Sequence, residues 1–422
     1  MKRVKAVLAV LLSLQLGAGL QAQSPTLPDG GVVRAGAAQI SSSGSTTRID
    51  QASDRAIIDW RSFGIGAGAQ VVFVQPNARS ATLNRVTGEQ ASVILGRLDA
   101  NGQILIVNPN GIVFGGGAQI NVGSLVASTS NLSNTNFMAG KLIFDQPGRP
   151  GAGILNAGAM TAAEGGLVAL VAPHVRNDGV IVARLGRVLL GAADTFTIDL
   201  YGDSLINLAL SDIHAGQLHS LNGEPITSLI NQAGTIETAG GRTVLMTARN
   251  AKNVLDNVIN MSGAIKADTA VEQGGRILLL GEGGNVEVSG SMSARGATGG
   301  SVEVLGDKVH LASTAAVDAG GANGGGVIHV GGAFQGSGDT YRSSQTTVDA
   351  GATLAANAGD RGNGGEVVVW SDGTTKFRGA VEAKGGANGG NGGHMEVSGK
   401  GTLEFLGTAD ASAAAGQGGS LL

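Results

Sequence analysis

The sequence contains no cysteine, and it is poor in aromatic residues, proline and charge. Among its 422 residues, 3% are aromatic, 14% are charged and 8 are proline. Without cysteine, neither disulfides nor thiolate metal sites can contribute to stability. The fold must therefore be held together by apolar burial and backbone hydrogen bonds.

Apolar runs long enough to span a membrane are also missing. The longest run, Ala6 to Leu20, follows Lys2, Arg3 and Lys5. It is about fifteen residues long, whereas a spanning helix needs ~20. A basic start followed by a short apolar run is typical of a secretory signal peptide. We therefore predict that residues 1–22 are a signal peptide and that the mature chain is exported via the periplasm without inserting into a membrane.

Basic surfaces are lacking as well. The formal net charge is −4, and removing the signal peptide would take it to −7, because that segment carries three basic residues and no acidic one. A negatively charged chain without a basic cluster is a poor ligand for nucleic acid or an anionic membrane surface. We expect neither as a partner.

Glycine is what the sequence has in excess, with 72 residues against an average usage of about 7%. The ordinary content of Val, Ile, Leu and Ala argues against disorder. Glycine never falls into the strict triplet of collagen. These observations favour an all-β architecture with many tight turns.

Glycine pairs recur before short alternating strands, mostly every 25 to 30 residues. A second phase of the repeat places Asn, and then Gly, ahead of another strand. Units of this size cannot bury an apolar face alone, so successive units must stack. We predict a β-solenoid of short parallel strands, with Gly or Asn at positive φ in its corners. The pairs are Gly240-Gly241, Gly274-Gly275, Gly299-Gly300, Gly325-Gly326, Gly364-Gly365 and Gly392-Gly393, and the second phase starts at Asn156, Asn177, Asn231 and Asn260.

Two places depart from the regular repeat. Residues 331–363 lengthen one unit and are expected to form a loop or a small extra strand pair beside the solenoid. The last residues, GQGGSLL, begin another unit. We expect the chain to be the N-terminal part of a longer rod or a truncated product.

The stretch ILIVNPNGIVF, Ile104 to Phe114, places a strong turn signal between two apolar runs. Pro109 fixes φ at the second turn position, and Asn110 or Gly111 tolerates positive φ. The Asn108 side chain can hydrogen-bond the backbone two residues on. These properties explain a turn, and by themselves they require nothing more.

Several segments around this turn resemble a known family. The segments are IIDWRSFGIGAGAQVVFVQPN, ATLNRVTG, GRLDANGQILIVNPNGIVFGGGAQINVGSLVAST and FMAGKLIFDQPG. They are similar to the haemagglutination-activity, or two-partner-secretion, domain at the N-terminus of filamentous haemagglutinin-type exoproteins. The similarity covers Val32 to about Met261, and its sharpest element is Asn108-Pro109-Asn110-Gly111-Ile112.

This resemblance implies a right-handed parallel β-helix with small extra-helical strands or loops. Residues 23–261 would form the two-partner-secretion domain, and residues 262–422 would continue as Gly-rich β-helical repeats. The domain would direct export through an outer-membrane barrel transporter with periplasmic docking domains and would nucleate folding of the rod. The whole protein would be a secreted or cell-surface adhesin, with a host or cell-surface receptor or a glycan as a further partner. We expect a monomer with no cofactor and no metal.

The resemblance also implies site residues. The corner Asn108 to Ile112 would be recognised during export. Gln75, Pro76 and Asn77 stand where the family often has a second Asn-Pro-Asn-Leu motif. We expect Asn108→Ala or Asn110→Ala to trap the protein in the periplasm with only a modest loss of stability. By contrast, the same change at Asn156 or Asn231, in ordinary corners, should leave export nearly normal.

A secreted β-solenoid could instead bind or cleave polysaccharides, as lyase-like enzymes do. Cleavage requires clustered carboxylates in a groove, whereas acidic residues are sparse here, and Asp50, Asp54 and Asp59 are expected on a solvated face. The six His show no metal-binding spacing. Trp370 is the candidate for stacking on a sugar, and Trp60 is expected to pack within the first coils. We therefore expect no catalytic activity.

Overall fold

The computed structural model is predominantly β, with 53% strand and 2% helix. It describes residues 26–198, 226–240, 243–249, 257–270 and 273–422. The predicted signal peptide lies outside these residues, as do His214, His219 and Gly241.

The first strands build the N-terminal coils. They are β1 (Val32–Ala35), β2 (Ala38–Ser43), β3 (Thr46–Gln51), β4 (Arg55–Trp60), β5 (Gln70–Val74), β6 (Ala81–Val86), β7 (Ser92–Ile94), β8 (Arg97–Ala100), β9 (Gln103–Val107), β10 (Ile112–Phe114), β11 (Gln119–Val122) and β12 (Ser124–Ser128).

The next elements include one short helix. They are α1 (Asn134–Met138), β13 (Leu142–Phe144), β14 (Gly153–Asn156), β15 (Ala159–Ala162), β16 (Leu167–Ala172), β17 (His174–Asn177), β18 (Val180–Ala183), β19 (Arg187–Ala192) and β20 (Phe196–Ile198).

The remaining strands continue the coils. They are β21 (Ser228–Gln232), β22 (Thr235–Glu237), β23 (Thr243–Arg249), β24 (Asn257–Met261), β25 (Ala264–Lys266), β26 (Arg276–Val288), β27 (Ser291–Ser293), β28 (Ser301–Leu311), β29 (Ala316–Asp318), β30 (Val327–Val330), β31 (Gln345–Val348), β32 (Thr353–Ala355), β33 (Glu366–Val369), β34 (Thr374–Phe377), β35 (Ala380–Glu382), β36 (His394–Val397), β37 (Thr402–Phe405), β38 (Thr408–Asp410) and β39 (Ser420–Leu421).

Successive coils stack their strands into three parallel faces, which we call A, B and C in the order the chain visits them. Strands β26 and β28 are long enough to belong to both A and B. The antiparallel strands β1 and β2 pair with β4 and β3 and cover the first coil. The predicted right-handed parallel β-helix is thus confirmed. Face A contains β4, β6, β9, β12, β16, β19, β23, β26, β28, β30, β33, β36 and β39; face B contains β7, β10, β14, β17, β21, β24, β26, β28, β31, β34 and β37; face C contains β3, β5, β8, β11, β15, β18, β22, β25, β27, β29, β32, β35 and β38.

The interior of the coils forms one continuous apolar core. Each face contributes inward side chains at alternate positions, as Ile104, Ile112 and Ile120 do within one coil. Because each residue stacks on its counterpart in the next coil, every added coil extends the same core. Trp60 belongs to it and packs edge-on against Phe63, with ring centroids 5.6 Å apart, as expected from the sequence.

A second core lies outside face A in the N-terminal half. Strands β13 and β20 pair antiparallel and, together with α1, form what we call the outer layer. Phe144 and Phe196 stack within it at a centroid distance of 4.3 Å. The outward side chains Leu105 and Val107 are buried beneath the layer. This explains why the run from Ile104 to Val107 is apolar at every position and not only at alternate ones.

Glycine occupies most corners for a different reason from the predicted one, which was a positive φ. Among the described residues, only Leu185 and Gln335 combine a positive φ with a side chain, so the corner Asn residues do not use that conformation. Most corner glycines are required by close backbone stacking. A Cβ at Gly179 would lie 2.1 Å from the carbonyl oxygen of Gly158, and one at Gly326 would lie 2.1 Å from that of Gly300.

The repeated Asn residues are only partly equivalent. Asn156 and Asn177 stack inside the B–C edge, with Asn156 Nδ2 donating to Asn177 Oδ1 at 2.7 Å. The next coil places Gln232 in this ladder, and Asn177 Nδ2 donates to its Oε1 at 2.8 Å. Asn231 comes one residue before the ladder position and is half-buried on β21. The prediction of one recurring Asn corner is therefore wrong from Asn231 onward, because a one-residue shift moves a strand side chain to the opposite face.

The predicted insertion is a loop, residues 331–344, with a 3-10 turn at Phe334–Gly336. It folds back over face A, where Gln335 N donates to Glu396 Oε2 at 2.7 Å. Trp370 lies beneath it against Gly332 and Gly336 and is 9% exposed. Trp370, the candidate for stacking on a sugar, is therefore covered by this loop.

Candidate functional site: a corner at the A–B edge

The corner Asn108 to Gly111 joins β9 on face A to β10 on face B. Among the described strands, the longest connections also leave this edge: residues 129–152, residues 331–344, and the connection after β19 that carries β20. Stacking fixes the strands themselves, so additional chain can leave the solenoid only at an edge. The corner thus lies on the edge where the solenoid departs most from its repeat.

The corner is a hydrogen-bonded turn. Gly111 N donates to the Asn108 carbonyl at 3.1 Å, and Asn110 N donates to Asn108 Oδ1 at 2.9 Å. The second bond is the one predicted from the sequence. Positive φ falls on Gly111, at 109°, while Ile112 points into the core. Each residue type in the motif therefore has a local structural reason.

Both Asn side chains tie the corner to the preceding coil. Asn108 Nδ2 donates to the Gln90 carbonyl and to Ser92 Oγ, each at 3.0 Å. Asn110 Nδ2 donates to the Gly88 carbonyl at 2.9 Å. In return, Ser92 N donates to the Gly111 carbonyl at 3.0 Å. Residues 88–92 therefore form a template on which this corner is built.

The following coil holds the corner from the other side. Asn108 N donates to the Ser128 carbonyl at 3.0 Å, and Arg149 N donates to the Pro109 carbonyl at 2.9 Å. The Arg149 guanidinium also reaches Glu89, at 3.8 Å, across the outside of the corner. Backbone from three coils thus converges at this turn.

This arrangement changes the expected effect of substitutions. Asn108 is fully buried with its amide bonded to two acceptors, and removing this side chain leaves the buried Ser92 Oγ without its donor, at about 1–3 kcal/mol. We therefore expect Asn108→Ala to cost more stability than the modest loss predicted from the sequence. Asn156 is equally buried in its ladder, so it is not an ordinary corner residue either.

The second candidate motif lies on a different edge. Gln75 follows β5 on face C and precedes β6 on face A, so the structure does not bring it together with Asn108. The Gln75 side chain is buried, donating to Thr82 Oγ1 at 3.1 Å and accepting from Gly102 N at 2.9 Å. Pro76 and Asn77 are exposed beside it. This corner also ties neighbouring coils together, but it does so independently of the first.

Sequence reasoning missed the partners of the motif, namely Gln90, Ser92 and Arg149. Ser92 could have been found from the length of a coil. Asn108 follows Ser92 by 16 residues, which is fewer than the roughly 22 residues of a full coil. A spacing shorter than one coil is expected for residues that face each other across one edge. Arg149 gave no such signal, because the outer layer separates it from the motif in sequence. Its contact depends on where a long connection returns.

Two of the three carboxylates named in the sequence analysis, Asp59 and Asp50, are engaged in ion pairs. Asp59 is paired with Arg34 and Arg85, at 2.9 and 2.8 Å, and its side chain is 13% exposed. Asp50 pairs with Arg48 at 2.8 Å. Asp59 thus does not lie on a solvated face as predicted. Within the described ranges, no group of three or more His, Asp or Glu side chains is placed to hold a metal ion.

Comparison with known proteins decides the family. The model of the TPS secretion domain matches residues 24–294. This chain belongs to the TPS secretion domain family. The crystal structure of the HMW1 secretion domain from Haemophilus influenzae superimposes with a TM-score of 0.73 and 30% identity, covering 93% of this chain and 100% of that one.

Two relatives of known name align with the same part of the chain. Both are heme/hemopexin-binding proteins of Haemophilus influenzae, 35% identical over 259 residues and 28% identical over 269 residues. This chain spans 27% of the length of each and is itself covered to 59%. TPS domains work with an outer-membrane transporter, and proteins that carry them are exported to the surface or the medium.

In the part of the chain that the structure describes, no helix is long and apolar enough to cross a membrane.

Proposed function

We propose that residues 23–261 direct export of this chain, after signal-peptide removal and passage through the periplasm, to a barrel transporter with periplasmic docking domains. The corner Asn108 to Ile112 is the element that the docking domains bind. Family membership supports the route, and the observation that carries the site is the corner itself. It combines two Asn and a Pro on the edge from which the long connections leave.

Recognition takes place on the non-folded chain. In the folded protein Asn108, Gly111 and Ile112 are buried, so a partner cannot contact their side chains. A stack of sheets on three faces, each about 10 Å from the next, is also wide compared with the lumen of a barrel of ordinary strand number. The absence of cysteine suits threading, since no disulfide can close a loop in the oxidising periplasm.

The remaining length, residues 262–422, begins the rod of a surface or secreted adhesin, and folded N-terminal coils template the ones that follow. A host receptor or glycan binds elsewhere on the full-length protein.

We propose that the chain has no catalytic activity. Incubation with a panel of acidic and neutral polysaccharides tests this directly, since any release of unsaturated or reducing ends would contradict it.

The recognition site is tested by separating capture from folding. Asn177 provides the matched control for Asn108, because both are fully buried and both donate through a side-chain amide. Each Asn→Ala variant is denatured, diluted and presented to the immobilised docking domains of the cognate transporter. We expect capture to fall at least tenfold for Asn108→Ala and Asn110→Ala and to be unchanged for Asn177→Ala. Equal capture of all three would leave the corner as a structural turn only.

A further inference from the structure

The connection from β12 to β14 returns to the solenoid directly over the corner Asn108 to Ile112, which we call the recognition corner. Its last part, residues 146–152, is anchored at one end by a bridge in which Asn131 N donates to the Gln146 carbonyl at 2.7 Å. The Asn131 and Gln146 side chains add a bond of 2.8 Å. At the other end, β14 pairs with β10 itself. We call residues 146–152 the corner clasp.

The corner clasp is stiff. Its sequence contains Pro147 and Pro150, two of the eight prolines of the chain, and proline restricts the conformations open to a loop. A Cβ at Gly148 would lie 2.6 Å from the Thr129 carbonyl oxygen, so the clasp lies tightly against the end of β12. Ala152 N donates to the Arg149 carbonyl at 3.0 Å and closes a turn. The position of Arg149 over the corner is therefore fixed from both sides.

Arg149 is the residue through which the clasp contacts the motif. Its backbone N–H occupies the Pro109 carbonyl at 2.9 Å, and its side chain spans the corner to Glu89. The ion pair is exposed and contributes little. The backbone bond matters more, because it occupies a main-chain acceptor in the middle of the motif and places a second layer of chain over it.

We propose that the corner clasp closes the recognition corner when the domain folds, so that docking domains bind the non-folded chain and do not rebind the folded product. The proposal rests on the proposed function. It adds that binding occurs in one direction only. The groups that a partner would have to contact are already hydrogen-bonded within the folded corner. Folding outside the cell then makes the recognition corner unavailable to the docking domains of the transporter.

The first test does not involve the partner. Arg149→Pro removes the N–H that donates to Pro109, while the control Arg149→Ala keeps it and deletes only the exposed ion pair. We expect native-state hydrogen exchange at Asn110 and Gly111 to accelerate about fivefold or more in Arg149→Pro and less than twofold in Arg149→Ala. If Arg149→Pro does not fold, the double variant Pro147→Gly with Pro150→Gly loosens the clasp and should act in the same direction. Unchanged exchange in the folded clasp variants would overturn the proposal.

The second test measures rebinding to immobilised docking domains of the cognate transporter. We expect denatured and diluted wild-type chain to bind, folded wild-type chain to bind at least tenfold more weakly, and folded Arg149→Pro, which frees the Pro109 carbonyl but leaves Asn108 buried, to regain part of the binding. If folded wild type binds as well as the denatured chain, the clasp does not close the site, although the export function stands. If neither form binds, the proposed function fails as well.

Discussion

Acidification should destabilise the coils that contain β14, β17 and β21, which we call the proximal coils, through the buried His174. His174 is the first residue of β17 and is 7% exposed, and its Nδ1 has no hydrogen-bond partner. A Cβ at Gly153 would lie 2.0 Å from its Nε2, so the ring fills the space that this glycine leaves free. Burial without a counter-charge lowers the pKa of His174 from 6.5 to about 4, because desolvation disfavours the imidazolium.

The size and sign of the effect follow from that pKa. Above pH 6.5 His174 is neutral in both the folded and the unfolded chain and adds no pH dependence. As the pH falls from 6.5 to about 4, the unfolded chain binds a proton at this site that the folded chain does not bind. At 1.36 kcal/mol per pKa unit, the folded state loses about 3 kcal/mol over this window and no more below it.

The assay is urea unfolding of the wild type and of His174→Gln between pH 7.5 and pH 4, with hydrogen exchange in β14, β17 and β21 reporting the proximal coils. The Gln variant cannot titrate, and all other groups cancel in the difference between the two proteins. We expect the wild type to lose about 3 kcal/mol relative to the variant across the window. A difference that stays flat from pH 7.5 to pH 4 would refute the burial argument.

Three further perturbations should give distinct results. Asn177→Ala breaks the ladder inside the B–C edge and should cost about 1–3 kcal/mol in urea unfolding, whereas Asn231→Ala, at a half-buried position outside the ladder, should stay within about 0.5 kcal/mol. Phe144→Ala removes a ring stacked in the outer layer and should cost about 3–5 kcal/mol, with faster hydrogen exchange in β13 and β20. Burial opposes the charge of His310, but hydrogen bonds and charges from Asp349 and Glu287 outweigh burial and raise its pKa. The stability that protonated His310 contributes is therefore fully present below its unfolded pKa of 6.5 and is lost as pH rises through its folded pKa. His310→Gln should thus destabilise the coils around β28 more at pH 5 than at pH 8.5. Equal effects at Asn177 and Asn231, slow exchange retained in Phe144→Ala, or a pH-independent effect at His310 would contradict each in turn.

Much of the coil structure could be predicted because it depends on residues close in sequence. Gly299-Gly300 precedes β28 and Gly364-Gly365 precedes β33, so the glycine pairs mark the C–A edge as the repeat indicated. The turn at Asn108 was also predictable down to the bond from its side chain to Asn110 N. In each case the chemistry that determines the structure lies within a few residues.

The contacts around the site could not be predicted, because they join parts of the chain that no repeat relates. β13 pairs with β20, and Phe144 meets Phe196 from 52 residues away. Arg149 reaches Pro109 only because the connection that carries β13 returns over the A–B edge. The ladder was mispredicted for a smaller reason, since Gln232 replaces Asn at the inward position while Asn231 stands next to it.

The outer layer also explains why the recognition corner follows an entirely apolar strand. Leu105 and Val107 point away from the solenoid interior, and an uncovered sheet face would normally carry polar residues there. They are buried instead, beneath Phe137, Phe144 and neighbouring residues of the connections that leave the A–B edge. In the non-folded chain these side chains flank the Asn108 motif and have no cover. A strand that is apolar on both sides, followed directly by an Asn-Pro-Asn turn, is thus available to a partner only until the outer layer has formed. Two of the layer's elements, α1 and β13, come from the same connection as the corner clasp, residues 129–152, whereas β20 comes from the connection that follows β19. Folding of residues 129–152 therefore closes the corner and begins to cover the strand, and β20 completes the cover.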